Sequence, residues 1–231
     1  DFVDFYESVF HLKNIEVIGI GANLTCLYGV LPNRDKLIQL SLYKQIIEAK
    51  FNKKLPYVSG GSSVTIPLIF QKLLPEGINH FRVGETLFLG TDVYYDKPLD
   101  NMCNNIFMLY SEIIELIEKP TVPEGTMGTN LEGDSFTFET EDIGQTSIRA
   151  IIDIGLLDVE IKHLMFVDED ITIAGASSDV IVINLGENKK GYKVGDLIEF
   201  KLDYMGTLRI INSKYVDKRI KGAGENLEDR R

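Results

Sequence analysis

The stretch from Tyr57 to Gly90, YVSGGSSVTIPLIFQKLLPEGINHFRVGETLFLG, constrains this chain more than any other. A short apolar strand, a Gly-Gly-Ser-Ser turn, a helix and a second strand follow one another, which is the order of a parallel strand-helix-strand unit. Gly60 and Gly61 admit backbone angles that a side chain forbids, and Ser62, Ser63 and Thr65 stand where the helix begins. Free N–H groups and the positive end of the helix dipole attract an anion there, so the turn suits a phosphate. A plain helix N-cap is the competing role for Ser62 and Ser63. The helix is predicted through Ile66, Leu68, Ile69 and Leu73, with Pro75 and Gly77 stopping it. Asn79 to Val83 reads as the next strand and delivers Arg82 beside Gly84, so that two strand ends face one pocket. On the residues alone, an ordinary ion-pair partner on a strand is the leading role for Arg82.

Elements upstream extend the same alternation. Asp1 to Leu12 places Phe2, Phe5, Tyr6, Val9 and Phe10 at helical spacing, and a chain that begins inside such a helix reads as truncated. Ile15 to Ala22 is a strand by its β-branched content. The loop from Asn23 to Asn33 then lies at that strand's carboxyl end, where barrels and open α/β sheets bind ligands. Asn23 and Thr25 are pocket candidates on that ground, with capping and turn roles standing beside it. From Asp35 to Lys50, Leu37, Leu40, Leu42, Tyr43, Ile46 and Ile47 recur every three to four residues, as in a crossover helix. Three parallel strands with helices outside leave exposed edges, and the pattern fits the last part of an (α/β)8, TIM-like barrel over residues 1–105.

Gly90 to Asn105 is polar and turn-rich, and marks a domain boundary. Ile106 to Glu118 fits a helix face by spacing, through Ile106, Leu109, Ile113 and Ile117. Pro120, Pro123, Gly125, Gly128 and Gly133 punctuate a loop. Short β-branched runs follow at Ser135 to Glu139, Ser147 to Ile154, Ile171 to Ala174, Val180 to Asn184 and Leu197 to Leu202. Such spacing makes residues 106–220 a C-terminal β-barrel or β-sandwich domain. The charged, glycine-containing tail, residues 221–231, is expected to be disordered.

Composition narrows the partners. Lys+Arg 24 against Asp+Glu 35 gives a formal charge of −11 without a basic cluster, which argues against nucleic acid or an anionic membrane. An anionic ligand therefore needs a local positive site, and Arg82 with the helix N-termini supplies one. Cys26 and Cys103 lie far apart without metal-ligand spacing, and no metal is expected; they read as buried free thiols in a reducing cytosol. No apolar run reaches membrane-spanning length, and DFVDFYESVF lacks the charge and apolar core of a signal peptide, so the expected location is the cytoplasm.

The run SGGSS followed by INHFRVGETLFLG resembles the amino-acid racemases of the alanine racemase-like barrel fold that use pyridoxal 5'-phosphate (PLP), and among them the alanine/ornithine racemase branch. NIEVIGIGANLTCLYGVLPN is similar to an earlier barrel strand of that branch. IIDIGLLDV, GASSDVIVINL and YMGTLRIINSKYV are similar to its β-domain, so the resemblance runs from Ile15 to about Ile220. It places a long opening strand of the second domain over Ile106 to Glu118. It implies a homodimer that racemises a small amino acid of the ornithine, alanine or lysine class. The lysine that forms the Schiff base with PLP has no match in this chain, nor do the amino-terminal barrel strands.

The resemblance also assigns residues. Arg82 takes the position of the arginine that faces the pyridine nitrogen, where related decarboxylases carry a carboxylate; Glu85 follows closely and is carried as a cofactor neighbour. The turn at Ser62 and Ser63, the backbone at Gly84 and the hydroxyl of Tyr204 share the phosphate, although the branch usually has Asn in place of Ser62. Asn23 is carried with the cofactor set. Ser178 and Asp179 belong to the loop that reaches the partner subunit's site and holds the substrate, with an ordinary turn as the competing account. Leu156 stands where alanine racemases have an acid/base tyrosine; a leucine cannot transfer a proton, so the second acid/base group is unassigned. A non-catalytic PLP-binding protein and a PLP-dependent decarboxylase of the same fold are the alternatives.

Overall fold

In the computed structural model the described residues are 1–221, apart from 101, 130–132, 134, 136 and 140–141. The chain divides into two compact units, Asp1–Ile106 and Phe107–Arg231. The tail expected to be disordered lies, from residue 222 onward, outside the described residues, and the strand expected at Ser135 to Glu139 falls partly outside them. There, an isolated bridge pairs Thr129 with Ser135.

The first unit opens with helix α1 (Phe2–Phe10), capped by the Asp1 side chain. Strand β1 (Gly19–Gly21) follows, shorter than the run Ile15 to Ala22 suggests. Its neighbour β2 (Tyr57–Ser62) starts directly after Pro56, so β1 has a partner only from Gly19, opposite Tyr57. Between them runs helix α2 (Arg34–Phe51), as its spacing predicts. The Asn33 side chain accepts from the Lys36 N–H, and Asn52 ends the helix in the left-handed region at φ 49°. Leu37, Leu40 and Ile47 are buried beneath it, whereas Leu42, Tyr43 and Ile46 are exposed, so its apolar stripe is only partly covered.

β2 takes in the whole Gly-Gly turn. A single 3-10 turn (Ser63–Thr65) leads into α3 (Ile66–Phe70), much shorter than the predicted helix. Lys72, at φ 58°, ends it, with the Leu73 N–H donating to Leu68 O and the Lys72 N–H to Ile69 O. That is a Schellman ending built on lysine rather than glycine, so the stop comes before Pro75. β3 (His80–Arg82) completes a three-stranded parallel sheet in the order β1-β2-β3. Helix α4 (Glu85–Leu89) and a small hairpin, β4 (Thr91–Asp92) with β5 (Lys97–Pro98), close the unit. Its core, including Ile20, Leu37, Ile47, Leu55, Val58 and Ile78, lies on one side of the sheet. Cys26 and Cys103 are exposed rather than buried, since both sit in loops.

The second unit is a six-stranded antiparallel sheet in the order β8-β11-β6-β7-β10-β9. Strand β6 (Met108–Pro120) spans both halves of it, which settles the ambiguous run as a strand. It pairs through Met108–Glu112 with β11 (Leu197–Leu202) and from Ile113 onward with β7 (Thr146–Ile152). A bulge between Ile113 and Glu115 bends it where the partner changes. β8 (Leu164–Phe166), β9 (Thr172–Ala176) and β10 (Ile181–Asn184) fill the remaining places. Alternation along β11 buries Ile198, Phe200 and Leu202, which join Ile113, Ile152, Ile181 and Ile183 in the core.

Helix α5 (Tyr204–Asn212) follows β11. Tyr204 is therefore the first residue of a helix, because the Asp203 side chain accepts from the Gly206 N–H and caps it. Among the described residues no helix is long and apolar enough to cross a membrane.

Candidate functional site

Arg82 ties together the ends of all three parallel strands. From β3 its Nη1 donates to Ser59 Oγ of β2 (2.5 Å), and its Nη2 donates to the Ala22 carbonyl just past β1 (3.1 Å). Among the described residues it forms no ion pair, so the strand-partner reading of Arg82 does not describe it. Both acceptors are neutral, and a guanidinium carries five N–H donors, so the group keeps its charge and donors to spare.

Pleating decides what shares this face. In β3 the side chains of His80 and Arg82 point to one side and that of Phe81 to the other, where it packs into the core. The Arg82 side is an open cleft of about 680 Å³ lined by Gly19, Gly21, Tyr57, Ser59, His80 and Arg82. Its volume falls within the range of small-molecule sites. A Cβ on Gly19 would lie 2.5 Å from the Tyr57 carbonyl oxygen, so β1 approaches β2 too closely for a side chain there. Tyr57 and His80 meet edge to face with ring centroids 5.9 Å apart. Gly19, Tyr57, Ser59 and His80 were not singled out from sequence; period-two counting back from Arg82, and across the register to β2, finds them.

The Gly-Gly-Ser-Ser segment is a bulge within β2, not a turn after it. Pairing with β3 shifts between Ser59 and Ser62, and Gly61 takes φ 113°, a conformation that disfavours any side chain. Thr65 Oγ1 donates to the Gly60 carbonyl (2.8 Å) and pins the bulge. Ser62 occupies the N-cap position of the 3-10 turn without making a side-chain cap bond. Ser63, buried, caps a different helix: its Oγ accepts from the N–H groups of Gly84 (3.3 Å) and Thr86 (3.1 Å) at the start of α4. The Ser63 hydroxyl thus fixes the backbone beyond Arg82. At Gly84 an added Cβ would have nothing within 4 Å, so the backbone there faces open space.

Glu85, half-buried, is the first residue of α4, beyond the cleft-facing strand. Asn23 follows Ala22, whose carbonyl receives Arg82, and its side chain accepts from Cys26 Sγ (3.7 Å), which places it at the rim of the same strand ends. Nearby, the hydroxyl of Tyr6 donates to the Gly19 carbonyl (3.4 Å), and burial pushes its pKa above the ordinary tyrosine value.

In the second unit the singled-out segments lie against one another. Leu156 is half-buried and its N–H donates to the Ser177 carbonyl (2.9 Å), while the N–H of Leu157 donates to the Ser178 carbonyl (3.0 Å). A Cβ on Gly155 would lie 2.2 Å from Ser178 O, so glycine is what lets the 155–158 turn meet the 177–179 loop. Ser178 and Asp179 are exposed, and the Ser178 hydroxyl donates to Asp179 Oδ2 (2.7 Å). Asp158 accepts from Ser213 Oγ (2.6 Å), just past α5, the helix that Tyr204 begins. Among the described residues no group of three or more His, Cys, Asp or Glu could hold a metal ion.

The chain is similar to known proteins. An ornithine racemase of Acetoanaerobium sticklandii is 39% identical over 220 residues, covering 95% of this chain and 62% of that protein. A lysine racemase of Thermotoga maritima is 32% identical over 212 residues, covering 92% of this chain and 59% of that protein. The chain therefore spans about three fifths of the length of these relatives. The alanine racemase structure from Corynebacterium glutamicum superposes with a TM-score of 0.51 at 14% identity, covering 91% of this chain and 54% of that one. No protein-family model matches. By sequence the chain is similar to an ornithine and a lysine racemase, and its fold is like that of an alanine racemase.

Proposed function

We propose that this chain is part of a PLP-dependent amino-acid racemase acting on a substrate of the ornithine, lysine or alanine class. The carrying observation is Arg82, a guanidinium held by Ser59 and the Ala22 carbonyl at the open ends of parallel strands. The names of the two relatives supply the reaction class and put ornithine and lysine first. The three-stranded sheet is then read as a portion of an (α/β)8 barrel, and the protein as a cytoplasmic homodimer. Two exposed, unpaired thiols suit a reducing compartment.

The residues present fit such a cofactor. An anionic group needs donors and room: the space above the Gly84 backbone is one that a Cβ would fill, the Ser63 hydroxyl lies beside it, and the two acceptors of Arg82 are neutral oxygens, so its positive charge stays. Ser62, Ser63 and the Gly84 backbone would hold the phosphate, with Tyr204 as a further donor. Asn23 and Glu85 are assigned to its surroundings, and Ser178 and Asp179 to substrate, an aspartate suiting the ammonium of a basic side chain.

When bound, PLP acidifies the α-proton of an amino acid attached to it. Arg82 would meet the ring nitrogen with an N–H donor, and because a guanidinium does not release its proton, that nitrogen stays unprotonated. Ser59 and the Ala22 carbonyl fix the plane of the guanidinium, so its direction does not depend on the ligand. The group held at the three strand ends is the Arg82 guanidinium, which favours racemase over decarboxylase. Leu156 carries no proton, so the acid/base pair comes from other residues. That last observation also keeps open a second reading, a protein that binds PLP without turnover.

Absorbance of the full-length protein before and after borohydride tests the cofactor, followed by mass spectrometry of the modified peptide. A near-visible band that borohydride converts into a lysine adduct is expected. Racemisation of ornithine, lysine or alanine in a chiral assay, weakened about 100-fold or more by R82A, then separates racemase from PLP holder. Absence of both the band and PLP uptake on titration sinks the proposal.

A further inference from the structure

The antiparallel ladder between β8 and β11 ends at the pair Leu164 and Leu202. The next rung is made of side chains: His163 Nδ1–H donates to Asp203 Oδ2 (2.7 Å). His163 is buried, and the other oxygen of Asp203 accepts from the Gly206 N–H (2.7 Å). One carboxylate therefore joins a 3-10 turn (Ile161–His163) to the first turn of α5. The Thr207 hydroxyl donates to the Asp203 carbonyl (2.8 Å), so the backbone of the capping residue is held as well. The fit is close: a Cβ on Gly206 would lie 3.0 Å from both His163 Cβ and His163 O. Tyr204 stands between Asp203 and Gly206 and is only partly covered.

We infer that His163 is a positioning residue for Tyr204: the His163–Asp203 clasp fixes the first turn of α5 and with it the direction in which Tyr204 presents its hydroxyl to an anionic ligand. An ordinary N-cap needs only Asp203 and the Gly206 N–H. The imidazole adds a second anchor that fixes the carboxylate's own rotation, and with it the entry angle of the helix. A short, charge-assisted bond from a buried donor is suited to that task. The inference rests on reading Tyr204 as a phosphate ligand of PLP, and its test is built to separate the two.

The measurements are PLP affinity by fluorescence titration and amide hydrogen exchange in α5, both on the full-length protein. H163L keeps the side-chain bulk and removes the donor, whereas H163N places an amide N–H near the position of Nδ1. We expect H163L to weaken PLP binding about tenfold, the effect of one charge-assisted bond, and H163N to restore most of it. Y204F should weaken binding similarly, and the H163L/Y204F double variant no further, because both act through one hydroxyl. Exchange at the Gly206 amide should accelerate in H163L without PLP present. Unchanged PLP affinity in H163L, with Y204F impaired, overturns the clasp inference while leaving Tyr204 as a ligand. Unchanged affinity in Y204F overturns the reading of Tyr204, and the inference with it. Unaltered Gly206 exchange in H163L shows that the clasp does not hold the helix and refutes the inference without reference to PLP.

Discussion

Gly155 sits where the backbone of one turn touches the backbone of another. The atoms a Cβ would meet are Ser178 O at 2.2 Å and Asp179 C at 2.4 Å, and neither is the movable end of a side chain. Replacement by alanine must separate the 155–158 turn from the 177–179 loop, breaking the bonds from the Leu156 and Leu157 N–H groups. G155A is expected to cost about 3 kcal/mol, at the upper end of ordinary overpacking. Urea unfolding midpoints at constant m-value measure it. A loss under about 0.5 kcal/mol, the range of unremarkable surface changes, would mean that the two loops separate freely. Arg82 shows the converse economy at residue scale. Its strand-end position is visible in the sequence, but its anchors are not, since Ser59 lies 23 residues away in the chain and Ala22 contributes only a carbonyl.

Elements were legible where their ends carried ordinary signals. Asn33 before a run of period 3.6 announces α2, and alternation announces β11, whose bounds match the expected Leu197 to Leu202. The sequence misled where a terminus used an uncommon residue: Lys72 closes α3 in a conformation normally left to glycine. Helix α5 has an ordinary start, since Asp203 is a clear N-cap type followed by apolar residues at helical spacing, but it comes directly after a strand. The long loops of the second unit are tied by side chains that no local pattern predicts. The Tyr192 hydroxyl donates to Asp168 Oδ2 (2.8 Å), and Lys190 Nζ lies 2.8 Å from the same oxygen. Burial and the Asp168 carboxylate push the Tyr192 pKa from 10.0 up to about 12. Burial pulls the Asp168 carboxyl upward, but bonds from Lys190, Tyr192 and the Asp170 N–H outweigh it and leave it below its usual value.

The sign of the pH effect follows. A raised tyrosine pKa stabilises the fold fully below the unfolded value of 10.0 and is lost as pH climbs through about 12. A lowered aspartate stabilises it above the unfolded value of 3.8 and is lost as pH falls through the folded one. The stability difference between the native protein and Y192F should therefore be flat near neutrality, at about 1 kcal/mol for one hydrogen bond to a charged group that is partly wetted. It should shrink above pH 10.0. Urea titrations of both proteins across this range check it, and a difference that grows in alkali contradicts the assignment of the tie to Tyr192.

At the scale of the molecule the two units differ in how completely they satisfy themselves. Among the described residues the second buries a cluster of 15 apolar residues drawn from five of its six strands, from the loops between them and from α5, and β6 carries pairing through both halves. The cluster of the first holds 8 among the described residues, on one side of a parallel sheet whose β1 and β3 are edges and whose other face is the open cleft. Parallel sheets are stable when both faces are covered, and unpaired edges recruit other chains. Residues 107–221 expressed alone should therefore unfold cooperatively in urea as a monomer. Residues 1–106 should be association-prone, running on a sizing column as dimers or larger species that bind a hydrophobic dye. The reverse result, a monomeric first unit with a sharp transition, would require that the Gly19, Gly21 and Ser59 face is content with water. The cleft would then be a finished surface, and its need for covering, on which the barrel reading depends, would disappear.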